Sequence, residues 1–161
     1  MTIRIDVSDL MEWAGDCERA AQRAPQVFAD AAYEVGTLVQ QKAQLNAMPH
    51  RRTGTMENSI TPAMVSAGPS MARAEVAVTA VSAAGFPYPI VIDQGHKGIR
   101  PRAGGVLAFP GKDGKTVFTR YVKPYAGSKF FTRAVEDTQN SGDVEATVND
   151  AVEILLNELR G

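Results

Sequence analysis

RRTGTMENSI, running from Arg51 to Ile60, sits where the sequence changes period. Upstream of it, apolar residues recur every three or four positions, the signature of a helix. Downstream they alternate, the signature of a half-buried strand. The stretch therefore reads as the joint between two regimes. Pro49 ends the helix, because the residue before a proline is steered away from helical backbone. Gly54 can take backbone angles closed to other residues and lets the chain reverse. Thr53, Asn58 and Ser59 carry short polar side chains able to bond the backbone groups that such a reversal leaves unpaired. Arg51 and Arg52 stay exposed beside the joint. They either reach a neighbouring subunit's carboxylates or solvate the helix end, where cations favour the dipole.

On the N-terminal side, residues 8–46 read as one long amphipathic helix or two in series, capped by Ser8 or Asp9. Leu10, Ala14, Cys17, Ala21, Ala24, Phe28, Ala31, Val35, Leu38 and Leu45 form its apolar stripe, with a gap at Lys42. Pro25 predicts a break or kink near Arg23–Ala24. The small residues predict close packing on a flat surface, a sheet. On the other side, Met56–Val65 and Arg73–Val81 are predicted strands joined by the turn-rich AGPS at 67–70. In the second strand Ala74, Val76, Val78 and Ala80 face the core, and Glu75, Ala77 and Thr79 face water. FPYPIVIDQG (86–95) predicts a short edge strand around Tyr88–Ile92, turning at Gly95. GHKGIRPRAGG (95–105) is a glycine-rich basic loop. VLAFP (106–110) and TVFTRYV (116–122) flank GKDGK, where Asp113-Gly114 signals a hairpin. Ser128–Thr138 and Asp143–Leu159 read as helices, the second capped by Asp143 and striped by Val144, Val148, Ala151, Val152, Leu155 and Leu159. The expected architecture is α+β, a single domain over 1–161. A long N-terminal helix and C-terminal helices pack on a mostly antiparallel sheet.

Charge is divided along this architecture. The net value is −1. Residues 1–50 hold four basic and seven acidic side chains, 51–133 twelve and four, and 134–161 one and seven. A basic middle thus lies between acidic ends. Such segregation bears on partners rather than on fold. No apolar run approaches the ~20 residues of a membrane helix. The opening MTIRIDVSDL has no apolar signal region, and Cys17 is the lone cysteine, so the expected address is the cytoplasm.

Catalytic chemistry finds little support. RRTGT lacks P-loop spacing and follows a helix, while GKDGK is better explained as a hairpin turn. His50 and His96 have no partner at metal-ligand spacing, and no G-x-S-x-G elbow occurs. Asp93 is placed to orient His96, yet no nucleophile completes a triad. The chain is read as a non-enzyme with no cofactor and no metal. Nucleic-acid binding is the competing function. Phe86, Tyr88, Phe109, Phe118, Tyr121 and Tyr125 are interleaved with the basic residues of 51–133 and could stack on bases, although strand spacing assigns most of them to the core. Self-assembly is the third explanation. The basic face, with Arg51, Arg52, His96, Lys97, Arg100, Arg102, Lys112 and Lys115, would meet Glu145, Glu153 and Glu158 of a neighbour, head to tail, in a ring.

Three blocks together resemble a known family. Thr53-Gly54-Thr55-Met56-Glu57-Asn58-Ser59-Ile60 is similar to the TG-x-L-x-x-S-I signature of the tail-completion, or head–tail joining, proteins of long-tailed bacteriophages, with Met56 at the leucine position. Tyr88 to His96 resembles the second block, a tyrosine leading to an acid and a glycine, with Asp93 where glutamate is usual. Lys129-Phe130-Phe131-Thr132-Arg133-Ala134 resembles the third, where a phenylalanine opens the closing helix. The resemblance spans about residues 10–140; the long 95–122 segment and the acidic last helix differ from the family pattern. It implies a non-enzymatic virion protein of the neck or tail top, assembled in the host cytoplasm as a homo-oligomeric ring such as a hexamer. Its expected partners are connector or stopper, tail-terminator and tail-tube proteins. DNA would pass through the lumen without specific recognition.

Overall fold

The computed structural model describes residues 8–51, 53–68, 71–110 and 114–160. Helix α1 (Ser8–Ala47) is the spine, followed by a 3-10 turn over Met48–His50 and a single helical turn, α2 (Thr55–Asn58). Strands β1 (Ile60–Gly68) and β2 (Met71–Val78) pair antiparallel, then come helix α3 (Tyr88–Gln94), a 3-10 turn (Arg102–Gly104) and strands β3 (Leu107–Pro110) and β4 (Thr116–Thr119). Helices α4 (Phe130–Asn140) and α5 (Asp143–Glu158) close the chain. The fold is α+β, as expected. It differs in that the predicted sheet over 56–122 is two separate two-stranded pieces, β1–β2 and β3–β4.

Helix α1 packs on both β1 and β2 and also on α4 and α5. Small residues make these approaches possible. A Cβ on Gly36 would stand 3.3 Å from Pro62 Cβ and 3.6 Å from Val76 Cγ2, so the helix lies directly on the sheet there. Ala43 and Ala47 are fully buried with Met56, Ile60, Ala80, Phe130 and Ala134. The predicted stripe is therefore displaced: Ala14, Ala21 and Leu45 are exposed, while Ala20, Val27, Ala29, Ala43 and Ala47 are buried. A helix with neighbours on two faces is not defined by the line through its largest apolar residues.

Polar side chains of α1 complete the packing. Gln40 Nε2 donates to the Ile60 carbonyl at 2.7 Å and Gln44 Nε2 to that of Glu57 at 3.1 Å, satisfying the joint. Lys42, the gap in the stripe, reaches across to the α4–α5 turn and donates to Ser141 Oγ (3.1 Å) and Asp143 Oδ2 (2.9 Å). The predicted break at Pro25 does not occur: α1 continues through it. The carbonyl that loses its donor belongs to Ala21, an exposed position where water can replace the bond.

Other boundaries shift for local reasons. Residues 56–58, read as the start of a strand, belong to α2, because Gly54 at φ 79° feeds straight into a helical turn. Strand β2 alternates as predicted, with Ala72, Ala74, Val76 and Val78 turned inward. Tyr88–Ile92, read as an edge strand, is the helix α3. Pro89 lies in its first turn, where a missing N–H costs nothing. Gly142 (φ 80°), not Asp143, holds the cap position of α5.

The Asp143 carboxylate instead accepts from Ser141 Oγ at 2.5 Å and from Lys42. These two bonds, that of Ser141 first, hold its pKa below the ordinary aspartate range. A lowered folded pKa stabilises above the unfolded value, about 3.9, and the benefit disappears as pH falls through the folded one. Asp143→Asn should therefore be less stable than the native protein at pH 7. In urea titrations the difference should begin to close below about pH 4. A difference unchanged at acid pH contradicts this.

Candidate subunit interface

The segment after α3 forms an arm. His96 pairs antiparallel with Tyr125, and Ile99 with Val122, through four backbone hydrogen bonds of 2.8–3.0 Å. The ladder resumes further out, from Leu107↔Thr119 to Pro110↔Thr116. The described residues of 96–110 and 114–125 thus pair as one irregular antiparallel hairpin, widened by the insertion that carries the 3-10 turn. The glycine-rich basic loop at 95–105 is tied into this arm. Arg100 lies over the Tyr121 ring at 5.3 Å, and Gly98 sits so close beneath that ring that a Cβ would come 2.5 Å from Tyr121 Oη. Its return leg, 116–125, would reach up to about 30 Å if extended throughout, at ~3.3 Å per residue.

Two glycines and an aspartate anchor the base. Gly95 (φ 83°) and Gly127 (φ 84°) cross back to back. A Cβ on Gly95 would lie 2.1 Å from the Tyr125 carbonyl oxygen, and one on Gly127 2.2 Å from that of Asp93. Asp93 is buried and turned toward α4, whose own cap position, Lys129, has no side-chain cap bond. Asp93 Oδ1 accepts from the N–H of Phe131 (2.8 Å) and Thr132 (3.3 Å), and Oδ2 from Thr132 Oγ1 (2.9 Å). One carboxylate from α3 thereby satisfies two orphan donors of a helix 38 residues away in sequence. Asp93 does not orient His96, as proposed from spacing: the imidazole Nδ1 donates to the Lys97 carbonyl at 2.8 Å, and the ring tilts against Tyr125. Asp93→Ala is expected to cost about 2 kcal/mol in denaturant titrations, as loss of a charged helix cap does. A change under about 0.5 kcal/mol, the usual scatter of surface substitutions, would contradict the capping role.

Beyond its base the arm contributes nothing to the core. The buried cluster and the side chains packed on it come from α1, α2, β1, β2, α3 and α4 and from Ala80. In the arm, Val106, Phe109, Val117, Phe118 and Tyr121 are exposed, Phe118 by 66%. This overturns the assignment of most aromatics to the core: Phe86 and Tyr125 are exposed too, and Tyr88 alone of the six packs against it. Seven Lys/Arg and one Asp fall within 95–126. Lys97, Arg100, Arg102 and Lys115 are thus gathered on one projection, with His96 at its base. Lys112 and the Asp113 position of the turn lie outside the described residues.

The acidic partners divide. Glu145 and Glu153 are exposed on α5, whereas Glu158 forms an ion pair with Arg23 of α1 within the same chain. Arg51 is likewise engaged internally. It lies beside Gly54, with Nε 3.9 Å from Glu57 Oε2, although its outer side remains open to solvent. Arg52 is outside the described residues. Glu57, not singled out from sequence, is buried and lines two open cavities of about 440 and 410 Å³, and its Oε1 has no hydrogen-bond partner among the described residues. Pro49 opens the 3-10 turn, and Ser59 closes α2 through its Oγ on the Met56 carbonyl (2.7 Å).

Compared with known protein families, with curated proteins and with solved structures, the chain matches none. Among the described residues there is no cluster of three or more His, Cys, Asp or Glu able to hold a metal, and no helix long and apolar enough to cross a membrane.

Proposed function

We propose that this chain is a structural protein of the neck or tail top of a long-tailed bacteriophage. It forms a homo-oligomeric ring that joins the capsid connector to the tail and performs no chemistry of its own. The observation that carries the assembly half is the arm. An isolated two-stranded hairpin is marginal in water, and this one exposes aromatic and branched side chains among cations while its own core ignores it. Such a surface is suited to burial by another molecule.

The phage half rests on the resemblance. Its three sequence blocks converge on one cluster: Met56 and Ile60 from the first, Tyr88 and Ile92 from the second, Phe130, Phe131 and Ala134 from the third. Asp93 ties the second block to the third. Blocks far apart in sequence and joined in one core behave as determinants of a fold, which is what a shared family pattern requires. Connector, stopper, terminator and tail-tube proteins are the partners this function needs, within the virion and after assembly in the host cytoplasm. Negative-stain electron microscopy of the concentrated protein should show rings with a central opening. Unassociated particles or open filaments would contradict the proposal.

Exposed aromatics on a basic arm also favour the competing function, contact with nucleic acid. Duplex-DNA affinity that falls steeply with salt would support it, since each neutralised phosphate releases counterions.

A further inference from the structure

We infer that the arm of one copy lies in the groove between α1, β2 and α5 of the next, an inference that rests on the ring proposed above. The groove is about 650 Å³ and open. Phe28, Ala31 and Val35 of α1, Met71 of β2, and Val144 and Val148 of α5 line it. Among its described lining residues the single ionised side chain, Arg73, is neutralised by Glu75 at 2.5 Å. Met71 and Val148 are exposed, so the groove leaves apolar surface in water.

Charge decides the occupant. Along α5 the apolar line continues through the exposed Val152, and Glu145 and Glu153 stand beside it. The arm carries the complement, with Phe109, Val117 and Phe118 set among Arg100, Arg102, Lys115 and Arg120. Among the described residues, neither β3 nor β4 packs substantially on α1, β2 or α5 of its own chain, so these strands do not fill the groove of their own copy. Each copy has one arm and one groove on different surfaces. That is a heterologous contact, which propagates from copy to copy and closes when the rotation permits.

The test uses the full chain with Cys17→Ala. Two single-cysteine variants, Phe118→Cys and Val148→Cys, are mixed and treated with a short bismaleimide. The expected product links the two variants and forms only in the mixture. Phe118→Asp should raise the concentration for half-assembly about tenfold or more, as loss of a central aromatic contact does. If oligomers form but no mixed product appears and Phe118→Asp assembles normally, the arm docks elsewhere and the inference fails while the ring stands. If Phe118→Asp instead weakens duplex-DNA binding and leaves the oligomer's mass unchanged, the arm serves nucleic acid and the inference fails. A monomer at every concentration overturns the inference and the ring together.

Discussion

Gly127→Ala should destabilise the protein by about 3 kcal/mol or more, the range in which backbone strain and steric conflict add. The new Cβ would run into the backbone of the 93–95 segment: Asp93 O at 2.2 Å, and Gln94 C and Gly95 N at 2.6 Å. No side chain can rotate away to relieve this. The residue also sits at φ 84°, in the left-handed region that L side chains avoid. Moving either strand of the crossing would pull Asp93 off the first turn of α4 and release the hydrogen bonds to Phe131 and Thr132. Gly104→Ala is the matched control. It shares the positive φ (72°) but has nothing within 4 Å of its Cβ, so only the conformational cost of about 1 kcal/mol remains. Urea midpoints of the two variants measure the difference. Equal losses would show that the glycine crossing is not a steric requirement.

Phe130→Ala should cost about 3–5 kcal/mol, as large-to-small changes at buried aromatic sites do. Phe130 is 1% exposed and packs in the cluster with Ala43, Ala47, Met56 and Ile60. Ala43, Ala47 and Ala134 of the same cluster are too short to fill the space a lost ring would leave. Phe118→Ala, on the arm, should change protomer stability by no more than about 0.5 kcal/mol, as exposed positions do. The contrast separates an aromatic residue of the core from one of the arm. A large loss for Phe118→Ala in the dissociated protomer would mean that the arm belongs to the fold after all.

That contrast also marks what could be read from the residues in advance. Helix α1, its end at Pro49, the alternation of β2, the antiparallel pairing of β3 with β4 and the two closing helices all follow from local periodicity and turn chemistry. Periodicity reports local geometry, however, and not what packs against it. Val117 and Phe118 look the same in a core strand and in an exposed arm. Tyr88–Ile92 is rich in β-branched residues and reads as strand, yet two prolines suit a helix start, and Asp93 of the helix meets α4 only in three dimensions. The importance of Gly127 depends on a crossing with Gly95 that no sequence spacing reveals. Arg51, read either as a neighbour's contact or as solvating the helix end, and Glu158, read as an interface candidate, each have an acid or a base of their own chain in reach. Arg100, Arg102, Glu145 and Glu153 remain on open surfaces, where charge segregation still points outward.

The central claim is that copies of this chain bury one another's arms. Light scattering of the purified protein over a wide concentration range tests it most directly. The account predicts a mass that is an integral multiple of the protomer's and falls toward one protomer on dilution or in Phe118→Asp. A single-protomer mass at every concentration would contradict it.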